Sequence, residues 1–530
     1  MEQERPFASD GVIRLESAKE LSLQLRVRHI ARNVIFNWIG TIANMAVGFF
    51  LSPFILHRLG NVAYGVWVLA VSVVGYLGLL DLGMQTSVLR FVSQGHTKQD
   101  HHGASEATSA ALWVRLQISA LALVLSGGLA AIFPHVFKVP PELASDARKA
   151  IVIIGMTTAI TMSFGVVGGI ISALNRYDLQ NYVGLGQTLV RVVTIVAVLR
   201  SGHGIVAIAL CELIAALVGK LVQVWVARRL YPELRIRLTV PKKETLKKIW
   251  SYSAYTFLVT IAVQLVYQTD NLVVGAFVST AAVTFYAIAN SLCRYASQVI
   301  SAMAGTFMPA ASTYEAAGDT ASLLMLYKNG TRAMILVSLP MMITLILRGS
   351  SFIGLWMGPQ YSHSSGTVLV ILSIPLFFAF ANQTPAAIAF GMEKHKTMAW
   401  WSIGEGIANL TLSIILVHWY GIYGVAIGTL IPSLIAQLGF WPVYISRLVG
   451  LTPFEVVWRI WGPILLASIP FAAATYAVEA TLPAHSLAVF ALQILATLPV
   501  FLFTVVIVFR AYVRAQIWPK VHSLLFAETK

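Results

Sequence analysis

The sequence predicts an all-α polytopic membrane protein with about 14 transmembrane helices, arranged as two six-helix lobes and two further C-terminal helices. Of its 530 residues, 57% are hydrophobic and only 11% are charged, whereas soluble domains average roughly 25% charged residues. Uncharged stretches of about 20 residues recur between residues 33 and 509, and each can cross a hydrocarbon core of about 30 Å as a helix. A third observation, an internal repeat, divides these helices into two lobes.

Clusters of charged, Gly, Pro and Asn residues separate the predicted spans. Near the end of the second span, the sequence DLG at residues 81–83 predicts a turn or kink, followed by an amphipathic extension to about Val92. The spans are, in chain order, 33–56, 62–84, 107–133, 149–174, 181–199, 204–227, 249–278, 283–310, 322–347, 366–390, 397–418, 421–445, 459–479 and 485–509.

The distribution of Lys and Arg predicts the orientation, because positively charged loops remain in the cytoplasm. With the N-terminus inside, the inner segments carry 26 of the 37 Lys and Arg residues and the outer loops carry 6. Both termini are therefore predicted to be cytoplasmic. The net charge of +15 reflects this asymmetry, and no nucleic-acid partner is expected.

The densest basic cluster, at residues 227–248, lies between spans six and seven. Its charge favours anionic lipids at the cytoplasmic face, and a docking site for a cytoplasmic enzyme is the alternative. The chain thus divides into a cytoplasmic tail (1–32), an N-lobe (33–228), a basic loop (229–248), a C-lobe (249–446), a final helix pair (447–509) and a second cytoplasmic tail (510–530).

The internal repeat has an offset of 219 residues. The segments GHGIVAIALCELIAALVG at 202–219 and GIYGVAIGTLIPSLIAQLG at 421–439 share their first glycine and the sequence Val-Ala-Ile at 206–208 and 425–427. Because each lobe has six spans, both lobes enter the membrane in the same orientation. Such lobes are related by a pseudo-twofold axis along the membrane normal, with the substrate cavity between them.

Four segments carry a resemblance to a known family. They are NWIGTIANMAVGFFLSPFILHRLGNVAYGVWVLAVSVVGYLGLLDLGMQTSVLRFV at 37–92, YQTDNLVVGAFVSTAAVTFYAIAN at 267–290, LWMGPQY at 355–361 and GIYGVAIGT at 421–429. In these segments, and over about residues 33–510, the chain resembles the polysaccharide transporter family of the multidrug/oligosaccharidyl-lipid/polysaccharide (MOP) exporter superfamily.

The resemblance implies a flippase, without a cofactor, in the inner membrane of a bacterium. Such proteins move undecaprenyl-diphosphate-linked oligosaccharide, the repeat unit of O-antigen or exopolysaccharide, from the cytoplasmic to the periplasmic leaflet by alternating access. In the family, helices 1, 2, 7 and 8 line the cavity, which opens laterally near helices 1 and 8. Other polysaccharide-assembly proteins are possible partners.

Cations inside predicted spans are the first candidate site residues, because a charge there is costly and is usually functional. Arg191 and Arg294 lie nearest the centres of spans five and eight, and a guanidinium binds phosphate oxygens through two hydrogen bonds. Arg115 and Lys220 lie closer to the cytoplasmic side. An internal ion pair of Arg191 or Lys220 with Glu212 is the alternative. Neutral polar residues predicted in the cavity are Asn44, Gln264, Gln268 and Asn290.

Carboxylates are the candidates for coupling or gating. Asp270 is either a proton- or cation-coupling residue or a hydrogen-bonded structural carboxylate. Asp81 is expected to face Arg90 or a neighbouring lobe helix and to stabilise one access state. A diphosphate with about two negative charges gains roughly 4–5 kcal/mol on leaving through 100 mV. Export therefore does not require a coupling ion.

Two other classes of function remain alternatives. A drug or cation antiporter on the same fold requires an acidic cavity, whereas two arginines are the most central embedded residues here. A membrane glycan polymerase or glycosyltransferase requires acid and base carboxylates, usually on a long outer loop. The longest outer loops are predicted near 134–148 and 348–365, with only Glu142 and Asp146 as carboxylates. No catalytic residue and no metal ligand is predicted.

Overall fold

The computed structural model describes residues 38–81, 84–238, 240, 264, 268–394, 396–508 and 510, and their regular secondary structure is entirely helical. The first predicted tail, the second tail beyond Arg510, residues 239 and 241–248 of the basic loop, and most of span seven lie outside these residues. In the N-lobe the helices are α1 Trp38–Leu59, α2 Asn61–Gly75, α3 Met84–Lys98, α4 His101–Val136, α5 Pro141–Ala173, α6 Tyr177–Arg200 and α7 Ile205–Leu230.

The second half begins with α8, helical over residues 268–277. It continues with α9 Thr280–Ala304, α10 Phe307–Ala316, α11 Thr320–Trp356, α12 Pro359–Ala381, α13 Gln383–Gly391, α14 Lys396–Leu434 and α15 Trp441–Val449, the last two joined by a π-helical turn at Ile435–Phe440. The final elements are α16 Pro453–Glu455, a π-helical turn at Val456–Trp461, α17 Gly462–Thr481 and α18 Leu487–Val508.

Eleven helices of the described chain are long and apolar enough to cross a membrane. One of them, Lys396–Val449, contains Gly421, whose φ of 55° interrupts the helix at the boundary predicted between spans eleven and twelve. α9 is not among the eleven, and span seven is largely undescribed. The multi-pass all-α fold is confirmed, and the count of fourteen stays a prediction.

The turn predicted at DLG falls mainly on residues 82 and 83, which lie outside the described residues, and the helix changes its type just before them. α2 passes into a 3₁₀ helix at Tyr76–Asp81, and α3 then runs to Lys98, six residues beyond the predicted end of the amphipathic extension. A 3₁₀ turn in the middle of a helical path often marks a hinge. The short α10 follows α9 at the corresponding place in the second half, in agreement with the predicted repeat.

The predicted outer loops are wrong in length. α4 ends at Val136 and α5 begins at Pro141, and α11 continues to Trp356 and α12 begins at Pro359. Arg348, which the sequence analysis assigned to an outer loop, therefore lies inside α11 and is 1% exposed. Its Nε donates to Glu479 on α17 at 2.5 Å and its Nη2 to Gln493 on α18 at 2.5 Å. The Glu479 carboxylate compensates the positive charge, and a buried arginine can therefore lie inside this apolar helix.

The two halves meet at the ends predicted to be outside. The Asn61 carbonyl accepts from Thr284 Oγ1 at 2.7 Å, and Asn61 Oδ1 accepts from Tyr361 Oη at 2.8 Å. Trp356 stacks on Phe49 and donates from Nε1 to its carbonyl at 2.8 Å. These contacts join α1 and α2 to α9, α11 and α12, so the two halves are closed on each other at this side.

A glycine permits the close approach of α2 to the second half. A Cβ added at Gly65 would overlap the carbonyl group of Thr280, at the start of α9. Only a residue without a side chain fits this contact. The outer seal therefore combines a glycine contact with hydrogen bonds and a stacked aromatic pair.

Candidate functional site

A pocket of about 100 Å³ lies beside Arg294 in the second half of the molecule, with both polar and apolar side chains in its lining. α9 contributes Arg294, Asn290 and Ser297, and α12 contributes an apolar wall around Leu372 and Pro375. The Arg294 side chain is exposed, and its Nη2 donates to Ser291 Oγ at 3.4 Å. Among the described residues this is its one hydrogen bond.

Asp270 on α8 lines the same pocket and is 5% exposed. Its Oδ2 accepts from Tyr286 Oη at 2.5 Å and from Thr429 Oγ1 at 2.9 Å. Its Oδ1 is buried and has no hydrogen-bond partner among the described residues. Buried carboxylate oxygens are nearly always bonded, so Oδ1 has an unused capacity to accept a proton or bind a cation.

Glu405 on α14 also lines the pocket, and Asn409 on the same helix bonds to the lining residue Thr429. Glu405 Oε1 accepts from Ser433 Oγ at 2.7 Å, and Asn409 Nδ2 donates to Thr429 Oγ1 at 3.1 Å. Both partners lie beyond the break at Gly421. The two parts of this helix are thus held together by the same network that contains Asp270.

Arg115 on α4 has different surroundings from those the sequence predicted for a cavity residue. It is 1% exposed, its Nη2 lies 2.7 Å from Asp81 Oδ1, and its Nη1 donates to the Met162 carbonyl at 2.9 Å. A Cβ at Gly165 would overlap Nη1. Arg115 is therefore a buried ion-pair partner between the 3₁₀ turn, α4 and α5. Of the two partners predicted for Asp81, the structure selects a residue on a neighbouring helix; Arg90 is exposed on α3.

The other two candidate cations of the first half, Arg191 and Lys220, lie on α6 and α7. Arg191 is half-buried, with no hydrogen-bond partner for Nε in the described chain, and Glu212 is within electrostatic range of it. Lys220 Nζ donates to Gln223 Oε1 at 3.1 Å and lies near Arg115. These positions fit the alternative in which Arg191 and Glu212 attract each other inside the lobe.

The predicted neutral cavity residues are dispersed. Asn44 on α1 bonds to the Gly40 carbonyl at 2.9 Å and accepts from Thr188 on α6 at 2.7 Å. Gln264 approaches Gly75, and Gln268 is half-buried at the start of α8. Asn290 alone among them lines the pocket with Arg294.

Tyr286, Thr429 and Ser433 belong to the pocket network but were not predicted from the sequence. All three carry single hydroxyl groups on apolar helices, a pattern that also occurs in ordinary helix packing. Thr429 is the last residue of GIYGVAIGT, a segment used both for the internal repeat and for the family resemblance, and this position could have pointed to it.

The fold defines a class of membrane protein. The chain superposes on a lipid II flippase MurJ in an inward closed conformation, with a TM-score of 0.68, 16% identity and coverage of 91% of this chain and 100% of that one. It also superposes on an inward-facing multidrug resistance transporter of the MATE family and MOP superfamily, with a TM-score of 0.67, 16% identity and coverage of 78% and 94%. The chain thus has the fold of MOP-superfamily transporters.

The family is defined by sequence. The family model described as "Polysaccharide biosynthesis protein" matches residues 30–315, more than half of the chain, and the chain belongs to this family. "Uncharacterized membrane protein EpsK" of Bacillus subtilis (strain 168) is 25% identical over 430 residues, 79% of this chain and 83% of EpsK. "Putative O-antigen transporter" of Shigella flexneri is 20% identical over 403 residues, 75% and 93% of the two chains. The predicted family is confirmed, as is a membrane transporter of polysaccharide-biosynthesis type instead of an enzyme.

Proposed function

We propose that this protein is a flippase for lipid-diphosphate-linked oligosaccharide, which it moves from the inner to the outer leaflet of a bacterial inner membrane. The observation that carries the proposal is the exposed Arg294 guanidinium beside the pocket, whose one hydrogen bond among the described residues leaves donors for phosphate oxygens. Two similar proteins support it by their descriptions, "Putative O-antigen transporter" and "Lipid II flippase MurJ".

The geometry gives each part of the pocket a chemical task. The Arg294 donors neutralise and orient the diphosphate, while the hydroxyl and amide groups beside it, including Asn290 and Ser297, suit sugar hydroxyls. The lipid tail needs no polar partner and stays in the bilayer. With the outer ends sealed at Asn61, the headgroup enters from the inside in this state.

Asp270 is the proposed coupling residue. Its buried, unpartnered Oδ1 is suited to take up a proton or a cation when the lobes rearrange. The membrane potential alone supplies roughly 4–5 kcal/mol per diphosphate at 100 mV. If Asp270 is a coupling residue, Asp270→Asn will abolish stimulation of transport by an ion gradient while transport driven by an imposed potential continues. Equal stimulation in the wild type and the variant would make Asp270 purely structural.

The proposed orientation places both termini in the cytoplasm. It can be tested with single cysteines at two exposed positions, His363→Cys near the predicted outer side and Glu233→Cys near the inner side. The native Cys211 and Cys293 are buried and provide a low background. An impermeant thiol reagent added to intact spheroplasts should label position 363 and not position 233. The opposite labelling would reverse the orientation.

The function itself is tested in proteoliposomes by following translocation of a lipid-diphosphate-linked oligosaccharide headgroup. Arg294→Gln should reduce transport about 10- to 100-fold, because a charge-assisted hydrogen bond contributes about 1.5–3 kcal/mol. Arg294→Lys should retain part of the activity, since it keeps the charge and loses the two-pronged geometry. Arg459→Gln is the matched control, because Arg459 is a surface residue with a side chain that is 78% exposed. Native transport by a folded Arg294→Gln protein would refute the phosphate-binding role.

An antiporter for cations is the second candidate, and one observation favours it. Asp270 and Glu405 line the same pocket as Arg294, which gives the pocket two carboxylates. If this function is correct, the wild type will exchange organic cations, and Asp270→Asn together with Glu405→Gln will stop the exchange. The protein will then show no headgroup translocation.

A further inference from the structure

An extended segment follows α7 and lies along α4. In this segment, residues 234–238, here called the basic strap, the backbone N–H groups of Arg235 and Arg237 donate to Ser105 Oγ at 3.1 Å and Ser109 Oγ at 2.9 Å. Four residues of a helix rise about 6 Å, and two residues of an extended chain span about 6.6 Å. The spacing of the two serines on α4 therefore matches the spacing of the two backbone N–H groups, and the two hydrogen bonds fix the register of the strap on the helix.

The strap has two chemically different sides. In an extended chain, successive side chains point to opposite sides, so Leu234, Ile236 and Leu238 share one side and Arg235 and Arg237 the other. Leu234 and Ile236 line a cavity, and Leu238 lines it while remaining 67% exposed. This alternation is readable in the sequence LRIRL, although a short run of this kind inside a loop gives no ligand by itself.

The cavity beneath the strap measures about 620 Å³, within the range of about 300–1,000 Å³ that is typical of small-molecule sites. Its floor comes from the inner halves of α4, α5 and α7. Leu112, Phe164, Val167, Ile170 and Val224 are among its apolar lining residues, and Arg228 lies at its edge.

The neighbouring face of α7 is turned outward. Leu221 and Trp225 are 63% and 61% exposed, and such large apolar side chains on a transmembrane helix face lipid. Val224 and Arg228, which line the cavity, lie on the adjacent face of the same helix, and Val224 is about 60–100° around its axis from Leu221 and Trp225. The cavity therefore adjoins the hydrocarbon region at the end of the helix that the Lys and Arg distribution predicts to be cytoplasmic.

The charged side chains around the cavity are mostly basic, which favours an anionic ligand. Arg228, Arg229, Arg235 and Arg237 are exposed here, against the single carboxylate of Glu233 in the same stretch. Arg229 is also held over the Trp225 ring at 5.6 Å. Basic pockets between transmembrane helices at the cytoplasmic side bind anionic lipid headgroups.

We propose that this cavity binds one anionic phospholipid of the cytoplasmic leaflet. An acyl chain occupies the apolar floor beneath Ile236 and Leu238, and the phosphate contacts the Arg228 guanidinium. The bound lipid packs against the strap and fixes the start of the connection between the two halves. The proposal rests on the proposed orientation only for the choice of leaflet.

Binding can be measured by native mass spectrometry of delipidated protein in detergent, titrated with phosphatidylglycerol or with phosphatidylcholine of the same acyl chains. We expect one saturable phosphatidylglycerol per chain, bound about tenfold or more tightly than phosphatidylcholine. Arg228→Gln removes the charge and Val224→Trp fills the cavity, and each should weaken phosphatidylglycerol binding about tenfold or more. Arg200→Gln is the matched control. Arg200 is an exposed arginine at the C-terminal end of α6, on the predicted outer side, so this variant should bind the lipid as the wild type does.

Several results would overturn the proposal. These are equal binding of the two phospholipids, native binding by both Arg228→Gln and Val224→Trp, or complete displacement of the lipid by inorganic phosphate. Displacement by undecaprenyl diphosphate at equal concentration would assign the cavity to the transported substrate instead. Because the measurement involves no transport, its failure leaves the flippase proposal intact, and the reverse also holds.

Discussion

Arg115 and Arg294 are both cations on long apolar helices, one in each half of the chain, and their surroundings are opposite. Arg115 is 1% exposed and bonds to both Asp81 and the Met162 carbonyl. Arg294 is exposed in a pocket, and the described residues offer it only Ser291 as a hydrogen-bond partner. A carboxylate from the neighbouring 3₁₀ turn makes Arg115 a structural residue, and the described residues offer Arg294 no such ion pair, which supports the proposed ligand-binding role. Position along a span does not distinguish the two cases.

The largest expected effect is a loss of stability when the Arg115 charge is removed, compared with removal of the Arg294 charge. Arg115→Gln leaves the Asp81 carboxylate without its partner and should lower the free energy of unfolding by about 3–5 kcal/mol. Arg294→Gln should change it by no more than about 0.5 kcal/mol, as is usual for exposed positions. Denaturation of both variants in the same detergent provides the measurement. Equal destabilisation would remove the distinction between the two sites.

The second prediction concerns the partner of Arg115. Adding Asp81→Asn to Arg115→Gln removes the uncompensated carboxylate, so the double variant should recover about 1–3 kcal/mol relative to Arg115→Gln alone. A double-mutant cycle on the free energy of unfolding gives the coupling directly. Strict additivity would show that the ion pair contributes nothing.

A third prediction uses the close contact of Arg115 with α5. Gly165→Ala introduces a Cβ that would overlap Nη1, and the guanidinium cannot move away without losing Asp81 or Met162. A cost of about 1–3 kcal/mol is expected from such overpacking. Gly184→Ala on α6 is the control, because its added Cβ would have no atom within 4 Å. Similar stability of the two variants would mean that the Arg115 site is not rigid.

The smallest effect is expected at Ser291. Its hydrogen bond with Arg294 is 3.4 Å long, near the outer limit for such a bond. Ser291→Ala should therefore change stability by less than about 0.5 kcal/mol and leave headgroup transport nearly unchanged. A strong loss of transport would show that Ser291 positions the guanidinium.

The sequence was sufficient for features that depend on local composition. The all-helical membrane fold follows from hydropathy. The interruption at Gly421 was anticipated because charge and glycine clusters separate spans. Such signals are contained within about twenty consecutive residues.

Features that depend on contacts between distant helices were not predictable in the same way. Arg348 was assigned to a loop because its partners, Glu479 and Gln493, follow more than 100 residues later. Arg115 was assigned to the cavity because nothing in its own span indicates that Asp81 faces it. A single sequence records which residues are charged, but not which helix supplies the counter-charge.

Asn61 makes the outer seal with both its carbonyl and its side-chain oxygen, which accept hydrogen bonds from Thr284 and Tyr361. When the halves part, water can bond to the same three residues, so only the net worth of each bond, about 0.5–1.5 kcal/mol, is exchanged. The hydrogen bonds of Asn61 therefore add little to the free-energy difference between the closed and open arrangements, and they fix instead which residues face each other when the halves are closed. That difference then depends mainly on the apolar contacts of the seal, such as the stacking of Trp356 on Phe49, whose exposure to water on opening is unfavourable.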